Sequence, residues 1–337
     1  MRRQGVFIVI VLVVLTLLTG VLILPRSAQG RSTVSARQSD TLPLPHDFSS
    51  HVTTVNGIHY HYVIGGVGTP LVLLHGWPET WYEWRKTLPV LAQHYRVIVP
   101  DLRGAGDSAA PSCCYDKKTL ASDVYQLIHQ LGYAKISLVG HDIGGMVAYA
   151  YAAAHPNEVR RLIILEAPIP DTSLYQFPAI SAPGSPTGIA SGKQGISGAW
   201  QFGFHVIPDL PEELVSGKVR VYLAWFYHNY SFIQTAFTNT DINEYVRHYA
   251  VPASLHAGFE YYRALFQDIA DNKGYEQKKL PMPVLALGGD HGARDTVFKQ
   301  MQRLATHVQG GVLANSGHWL PEEQPNTLTT QMLTFLQ

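Results

Sequence analysis

The chain has little cysteine and no charge imbalance. Its 337 residues include 2 cysteines, 25 basic and 25 acidic side chains, giving a formal net charge of zero. The cysteines are adjacent, Cys113 and Cys114, which excludes a small fold stapled by disulfides. They are expected to be ordinary loop thiols, with a strained vicinal disulfide in an oxidising compartment as the alternative. Without a basic block or an arginine-rich helix, the chain has no electrostatic footprint for nucleic acid. Nothing in it demands a metal or an organic cofactor; His59 and His61 read as surface residues of a hairpin rather than as metal ligands. What remains is a chain that is 46% hydrophobic, long enough to bury a substantial core and suited to chemistry on a small molecule.

A further absence is a serine. "LVGHDIGGMVAYA", residues 138–150, reads as an apolar strand, a tight glycine-rich turn and an alanine-rich helix, the setting of a nucleophile elbow. Asp142 stands where the serine belongs, between Gly140 and Gly144. A serine alkoxide suits attack on a carbonyl carbon, whereas a carboxylate is a stable anion that can displace a leaving group at saturated carbon. Asp142 therefore implies an alkyl-ester intermediate and substrates such as epoxides or alkyl halides. Elbow strain is expected to hold the carboxylate exposed, beside the positive end of the helix starting at Ile143. An aspartate that only capped the helix would need no catalytic partners.

Long hydrophobic runs are absent apart from one. Val6–Leu24 follows Arg2 and Arg3 and is long enough to span a bilayer core. Residues 1–30 are expected to be a membrane anchor or a cleaved signal, which places the catalytic part outside the cytoplasm, secreted or membrane-bound through residues 6–24. Residues 31–50 read as a flexible linker.

From residue 51 strand-like and helix-like runs alternate. A hairpin is expected around Asn56-Gly57, then a strand in "TPLVLLHG", one amphipathic helix in "ETWYEWRKTLPVLAQ", and further strand-helix repeats to "VRRLIILEAP". That rhythm predicts an α/β fold with a mostly parallel, doubly wound sheet. Residues 171–272 contain no β-run and carry aromatic-rich helical stretches, so the core is expected over 51–170 and 273–337. A helical cap (lid) over 171–272 is then inserted after strand 6, above the strand C-terminal ends. Trp200, Phe202, Phe204, Trp225, Phe226 and Tyr227 are candidates for its aromatic interior or for an apolar pocket wall.

Four motifs fall at those strand ends: "HGWPE" (75–79), "DLRGAGDS" (101–108), "GHDIGG" (140–145) and "SGHW" (316–319). In this order they resemble the α/β-hydrolase fold in its epoxide hydrolase branch. "LEAPIPD" and "FEYYRAL" are similar to secreted bacterial epoxide hydrolases of the cystic-fibrosis-regulator inhibitory factor type. The resemblance covers residue 51 to the end and implies hydrolysis of a hydrophobic epoxide to a vicinal diol, without a cofactor.

His318 follows the last expected strand and precedes the terminal helix, a position from which it can deprotonate the water that hydrolyses the ester. It needs a carboxylate to orient it. Glu166 is available at the end of "LIILEAP", and Asp290 and Asp295 in "GGDHGARD". The family uses both places, and the match of "LEAPIP" favours Glu166. Backbone N–H groups of Trp77 and Ile143 are candidates for an oxyanion hole, and the family implies a cis bond at Trp77-Pro78. Family position also points to Tyr262 as the phenol that protonates the opening ring, with Tyr261 directed elsewhere. At the second donor position this chain carries Gln201, which has no transferable proton, so Tyr262 acts alone or recruits His205.

Two other readings remain. A haloalkane or haloacid dehalogenase shares the aspartate nucleophile, but Ile143 offers no side-chain donor for a halide, and Arg103 is the sole candidate for clamping a carboxylate. A non-catalytic ligand-binding protein on a hydrolase fold has no use for Asp142, a triad acid and His318 together. A homodimer is left open.

Overall fold

In the computed structural model, which describes residues 44–176 and 199–337, the Asn56-Gly57 turn forms as expected. Both residues have positive φ, 46° and 81°, and fold β1 (Phe48–Val55) onto β2 (Ile58–Gly65) in antiparallel register. The remaining strands are β3 (Pro70–Leu74), β4 (Arg96–Pro100), β5 (Ile136–His141), β6 (Val159–Leu165), β7 (Leu280–Gly289) and β8 (Ala305–Leu313). They form one sheet in the order β1-β2-β4-β3-β5-β6-β7-β8, antiparallel at β1/β2 and β2/β4 and parallel thereafter.

Helices α1 (Leu88–Leu91), α2 (Lys117–Gln130) and α3 (Ile143–Ala154) lie between the early strands. The described residues between β6 and β7 hold no strand. They form α4 (Ala199–His205), α5 (Leu210–Val215), α6 (Val219–Asn229), α7 (Asn239–Tyr249), α8 (Pro252–Arg263) and α9 (Leu265–Tyr275). The chain closes with α10 (Thr296–Leu304), α11 (Leu320–Glu323) and α12 (Pro325–Leu336).

Strand order reverses direction at β3, so β5 lies beside it rather than beside β4. At such a switch point the loops leaving two neighbouring strands part and leave a crevice. Register then decides what meets there. Leu74 pairs with Gly140 and His141 with Leu165, so the segments beginning at His75, Asp142 and Glu166 leave the sheet side by side. Central strands such as β3 and β5 are buried throughout, as expected for parallel strands covered on both faces.

Three local expectations are corrected. Residues 79–93 do not form one helix: a 3-10 turn over Trp81–Lys86 ends at Thr87, and α1 restarts with a proline in its first turn, where the missing N–H has no intrahelical partner to lose. Cys113 and Cys114 are joined as a vicinal disulfide, with Cys114 at φ 74°. His59 is exposed, but His61 is buried because its Nδ1 lies 2.7 Å from Asp101 Oδ2, and Asp101 also accepts the Trp81 and Asp107 amides. Among the described residues no helix is long and apolar enough to cross a membrane; Val6–Leu24 lies outside them.

Candidate active site

Asp142 joins β5 to α3 with φ 48° and ψ −122°, a backbone conformation that costs a non-glycine residue about 1–3 kcal/mol. Its neighbours permit the turn by being glycines. A Cβ on Gly144 would sit 2.3 Å from the Leu74 carbonyl oxygen, and one on Gly76 2.7 Å from the Asp142 Cβ. The Asp142 side chain makes no capping bond to α3. Its Oδ1 instead accepts the Trp77 amide at 2.9 Å, and Trp77-Pro78 is cis. The Ile143 amide makes no hydrogen bond to the carboxylate in this structure, so one of the two expected oxyanion donors is engaged. Nor is the carboxylate exposed: Asp142 is 7% accessible, and its charge adds to burial, the larger cause, in raising the pKa values of Tyr262 and Tyr230.

His318 follows β8 and faces Asp142, with Nε2 3.7 Å from Oδ2. On its other side Nδ1 lies 3.1 Å from Glu166 Oε2. Glu166 is fully buried, and its two oxygens accept the amides of Gly289 and Ala293. When ionised, Glu166 can only accept from His318, which puts the imidazole proton on Nδ1 and leaves the Nε2 lone pair toward Asp142. Burial, with the charge of His141 beside it, lowers the His318 pKa to about 3 and keeps the ring neutral. Burial pushes Glu166 the other way, to about 8, against the pull of its amide donors and of His141. The alternative acids lie elsewhere: Asp290 accepts the Asn315 and Ser316 amides, and Asp295 pairs with Lys299 at 2.7 Å.

Tyr262, on α8, is buried, with its ring edge-on to Trp77 at 5.4 Å. Burial and then the Asp142 charge raise its pKa far above the ordinary value, so the phenol keeps its proton. Gln201 is beside it. Gln201 Nε2 donates to Tyr262 Oη at 3.4 Å, and the Tyr230 hydroxyl donates to Gln201 Oε1 at 2.9 Å. His205 is also near, ring centroids 4.4 Å apart, but its Nε2 is engaged with the Tyr222 hydroxyl at 2.6 Å and burial holds the ring neutral. Tyr261 points away, donating to the Arg103 carbonyl.

Sequence reasoning missed Tyr230, Glu79, Glu83 and His141. Beneath the elbow, buried His141 has Nδ1 3.1 Å from Glu83 and 3.5 Å from Glu79. Burial opposes its charge, yet the two glutamates hold its pKa well above the usual value. The Glu in "HGWPE" and the His in "GHD" were visible as letters, but nothing local says that they meet. These three residues, and separately His61, Asp101 and Asp107, place potential ligand atoms within 4.8 Å of one another. A cavity of about 370 Å³ lies beside the site, lined by Met146, Ile169, Leu174 and Phe202 together with polar and charged residues such as Asp171, Lys299 and Arg303. Phe202 packs edge-on against Tyr262 at 5.4 Å.

Residues 69–325 match the family model of the α/β hydrolase fold. The chain is 38% identical over 291 residues to the soluble epoxide hydrolase of Corynebacterium sp. (strain C12), covering 86% of this chain and 97% of that protein. The crystal structure of the Cif epoxide hydrolase from Acinetobacter nosocomialis is similar with a TM-score of 0.81 at 26% identity, over 88% of this chain and 91% of that one. A fluoroacetate dehalogenase of Burkholderia sp. is 26% identical over 307 residues, 86% of this chain and 94% of its own length.

Proposed function

The chain belongs to the epoxide hydrolase family of the α/β-hydrolase fold and is a hydrolase acting on an ether bond; from that premise we propose that it converts a hydrophobic epoxide to a vicinal diol through an ester of Asp142. The observation that carries the reading is one carboxylate with two differently committed oxygens. Oδ1 is held by the Trp77 amide, and Oδ2 faces His318 across 3.7 Å, too far for a direct hydrogen bond.

In the first step Oδ2 attacks an epoxide carbon, the carbon-oxygen bond of the ring breaks, and the departing oxygen takes the Tyr262 proton. Tyr262 suits this because its oxygen already accepts from Gln201, which leaves its own proton free and stabilises the phenolate that results. In the second step His318 Nε2 takes a proton from water and the hydroxide adds to the Asp142 carboxyl carbon. Negative charge develops on Oδ1, beside the Trp77 amide. The ester bond breaks, the leaving alkoxide takes the imidazolium proton, and the other proton of that water leaves the Asp142 carboxyl and restores Tyr262. Glu166 stabilises the imidazolium while it exists.

The aromatic rings of Trp77 and Phe202 packed against Tyr262 support a hydrophobic substrate, and residues 171–272 serve in this reading as the cap that carries Tyr262. A dehalogenase finds less support. Ile143 has no side-chain donor for a halide, and Arg103 is committed to Asp123 through two bonds of 2.7 and 2.9 Å. A panel of epoxides and haloalkanes offered to the full chain, with diol and halide measured in parallel, tests the reading. Diol from epoxides is expected, and halide release without diol would overturn it.

A further inference from the structure

Glu323, on the one-turn helix α11, touches none of the reacting groups, yet its carboxylate accepts four backbone amides, two from the adjoining loop and two from a segment about ninety residues earlier. Oε1 accepts Gly317 N at 3.0 Å and Trp319 N at 3.1 Å, the amides on either side of His318. Oε2 accepts Phe232 N at 2.7 Å and Ile233 N at 2.8 Å, in the turn that follows α6. The same seam is closed between those bonds by the His318 amide, which donates to the Tyr230 carbonyl at 2.9 Å. It is packed to contact: a Cβ on Gly317 would meet the Tyr230 carbonyl oxygen at 2.2 Å and Phe232 N at 2.8 Å.

Each segment leads to one half of the chemistry. From Gly317 and Trp319 the chain carries His318, the base. From the 230–233 turn, Tyr230 donates to Gln201, which donates to Tyr262, the acid. The acid lies on the helical segment and the base on a core loop, so their separation depends on whatever joins the two. We propose that Glu323 is a positioning residue: a single buried carboxylate that holds the base of ester hydrolysis and the phenol chain of ring opening in fixed relation. This rests on the two-step reading above.

A carboxylate is needed because only it offers acceptors on both oxygens. In Glu323→Gln one oxygen becomes an NH₂ group that faces two N–H donors, so one of the two amide pairs is lost while side-chain volume is kept. Glu323 is 6% accessible, so water has little room to replace that pair. Displacement of a catalytic group by a fraction of an ångström is then expected to slow the half-reaction it serves by about tenfold or more.

The test is rapid-quench measurement of ester formation and ester hydrolysis in the full chain, per folded protein, for wild type, Glu323→Gln, Glu323→Asp and His318→Gln. Glu323→Gln is expected to slow at least one half-reaction by about tenfold, with diol yield per substrate unchanged. Glu323→Asp keeps the charge but is one methylene short of bridging both segments, and should fall in the same direction if the glutamine variant does not fold. A purely structural role predicts a lowered Tm with both rate constants within about twofold of wild type per folded molecule, and that result overturns the proposal. A trapped ester in His318→Gln alongside wild-type rates in both Glu323 variants removes the positioning role alone. No ester in His318→Gln removes the two-step reading and this inference with it.

Discussion

Replacing His318 with glutamine should separate the two half-reactions. The substitution removes the base that activates water, which typically contributes 10²–10⁴-fold, or about 2.7–5.4 kcal/mol of barrier. Ring opening should be spared. Asp142 is held in place by the Trp77 amide and by the elbow backbone, its carboxylate needs no base to attack, and His318 Nε2 makes no hydrogen bond to it at 3.7 Å. If opening and hydrolysis run at comparable rates in the wild type, slowing hydrolysis by about 10² leaves about 99% of the enzyme as ester at saturating substrate. Intact-protein mass spectrometry would show the added mass of one whole epoxide, since opening adds all of its atoms, and peptide mapping should place it on Asp142. With a haloalkane the adduct would lack that oxygen, and free halide would appear with it. Asp142→Asn should show neither adduct nor turnover, because a neutral amide is a poor nucleophile. A folded His318→Gln protein that turns over at the wild-type rate, or that gives no adduct with any member of a broad epoxide panel, would refute the reasoning.

Glu166→Gln should slow ester hydrolysis and also alter its pH dependence. Protonated Glu166 cannot stabilise the imidazolium, so the wild-type rate should rise with pH through a midpoint near the raised value of about 8. The residual rate of Glu166→Gln should lack that rise and stay flat above about pH 5, because His318, with its pKa lowered to about 3, is already neutral there. Asp290→Asn, measured the same way, should change hydrolysis by less than about threefold, since its carboxylate only holds the Asn315 and Ser316 amides. Tyr262→Phe should reduce the rate of adduct formation by about 10²-fold or more, and Gln201→Leu by less, about tenfold, with ester hydrolysis little changed in both; equal slowing of both steps would point to misfolding instead. Fractionation of cells making the full chain should find it outside the cytoplasmic compartment, membrane-bound if Val6–Leu24 is retained, and a soluble cytoplasmic product with an intact N-terminus would overturn the export reading.

Local patterns carried much of the architecture. The Asn56-Gly57 turn, the apolar β3 and β5 runs and the glycines around Asp142 each express a preference of the backbone or of a few neighbouring side chains. Such preferences act within a few residues and can be read from them. The replacement of serine by Asp142 was likewise visible in one stretch, and it dictated the kind of chemistry before any distance was known. The span 79–93 was misjudged because its apolar spacing suits one helix, although Pro89 was a local signal for the break at Thr87 and the restart at Leu88.

What tertiary structure decided was which distant groups meet. Glu166, Asp290 and Asp295 were equivalent candidates by type, and β5/β6 register with the amides of Gly289 and Ala293 set Glu166 against His318. His61 looked like a surface residue until Asp101, in the loop that follows β4, accounted for its burial. Gln201 appeared to be a defect in the donor set, and became a link only because Tyr230 and Tyr262 converge on its two amide atoms. Glu323 carried no signal at all, since the amides it gathers are backbone groups that every residue but proline possesses. Hydrogen bonds and charges act over a few ångströms in space, whatever the separation along the chain, so the sequence by itself determined the elements and the reactive residue types, and the register of the sheet and the packing of the helical segment determined their partners.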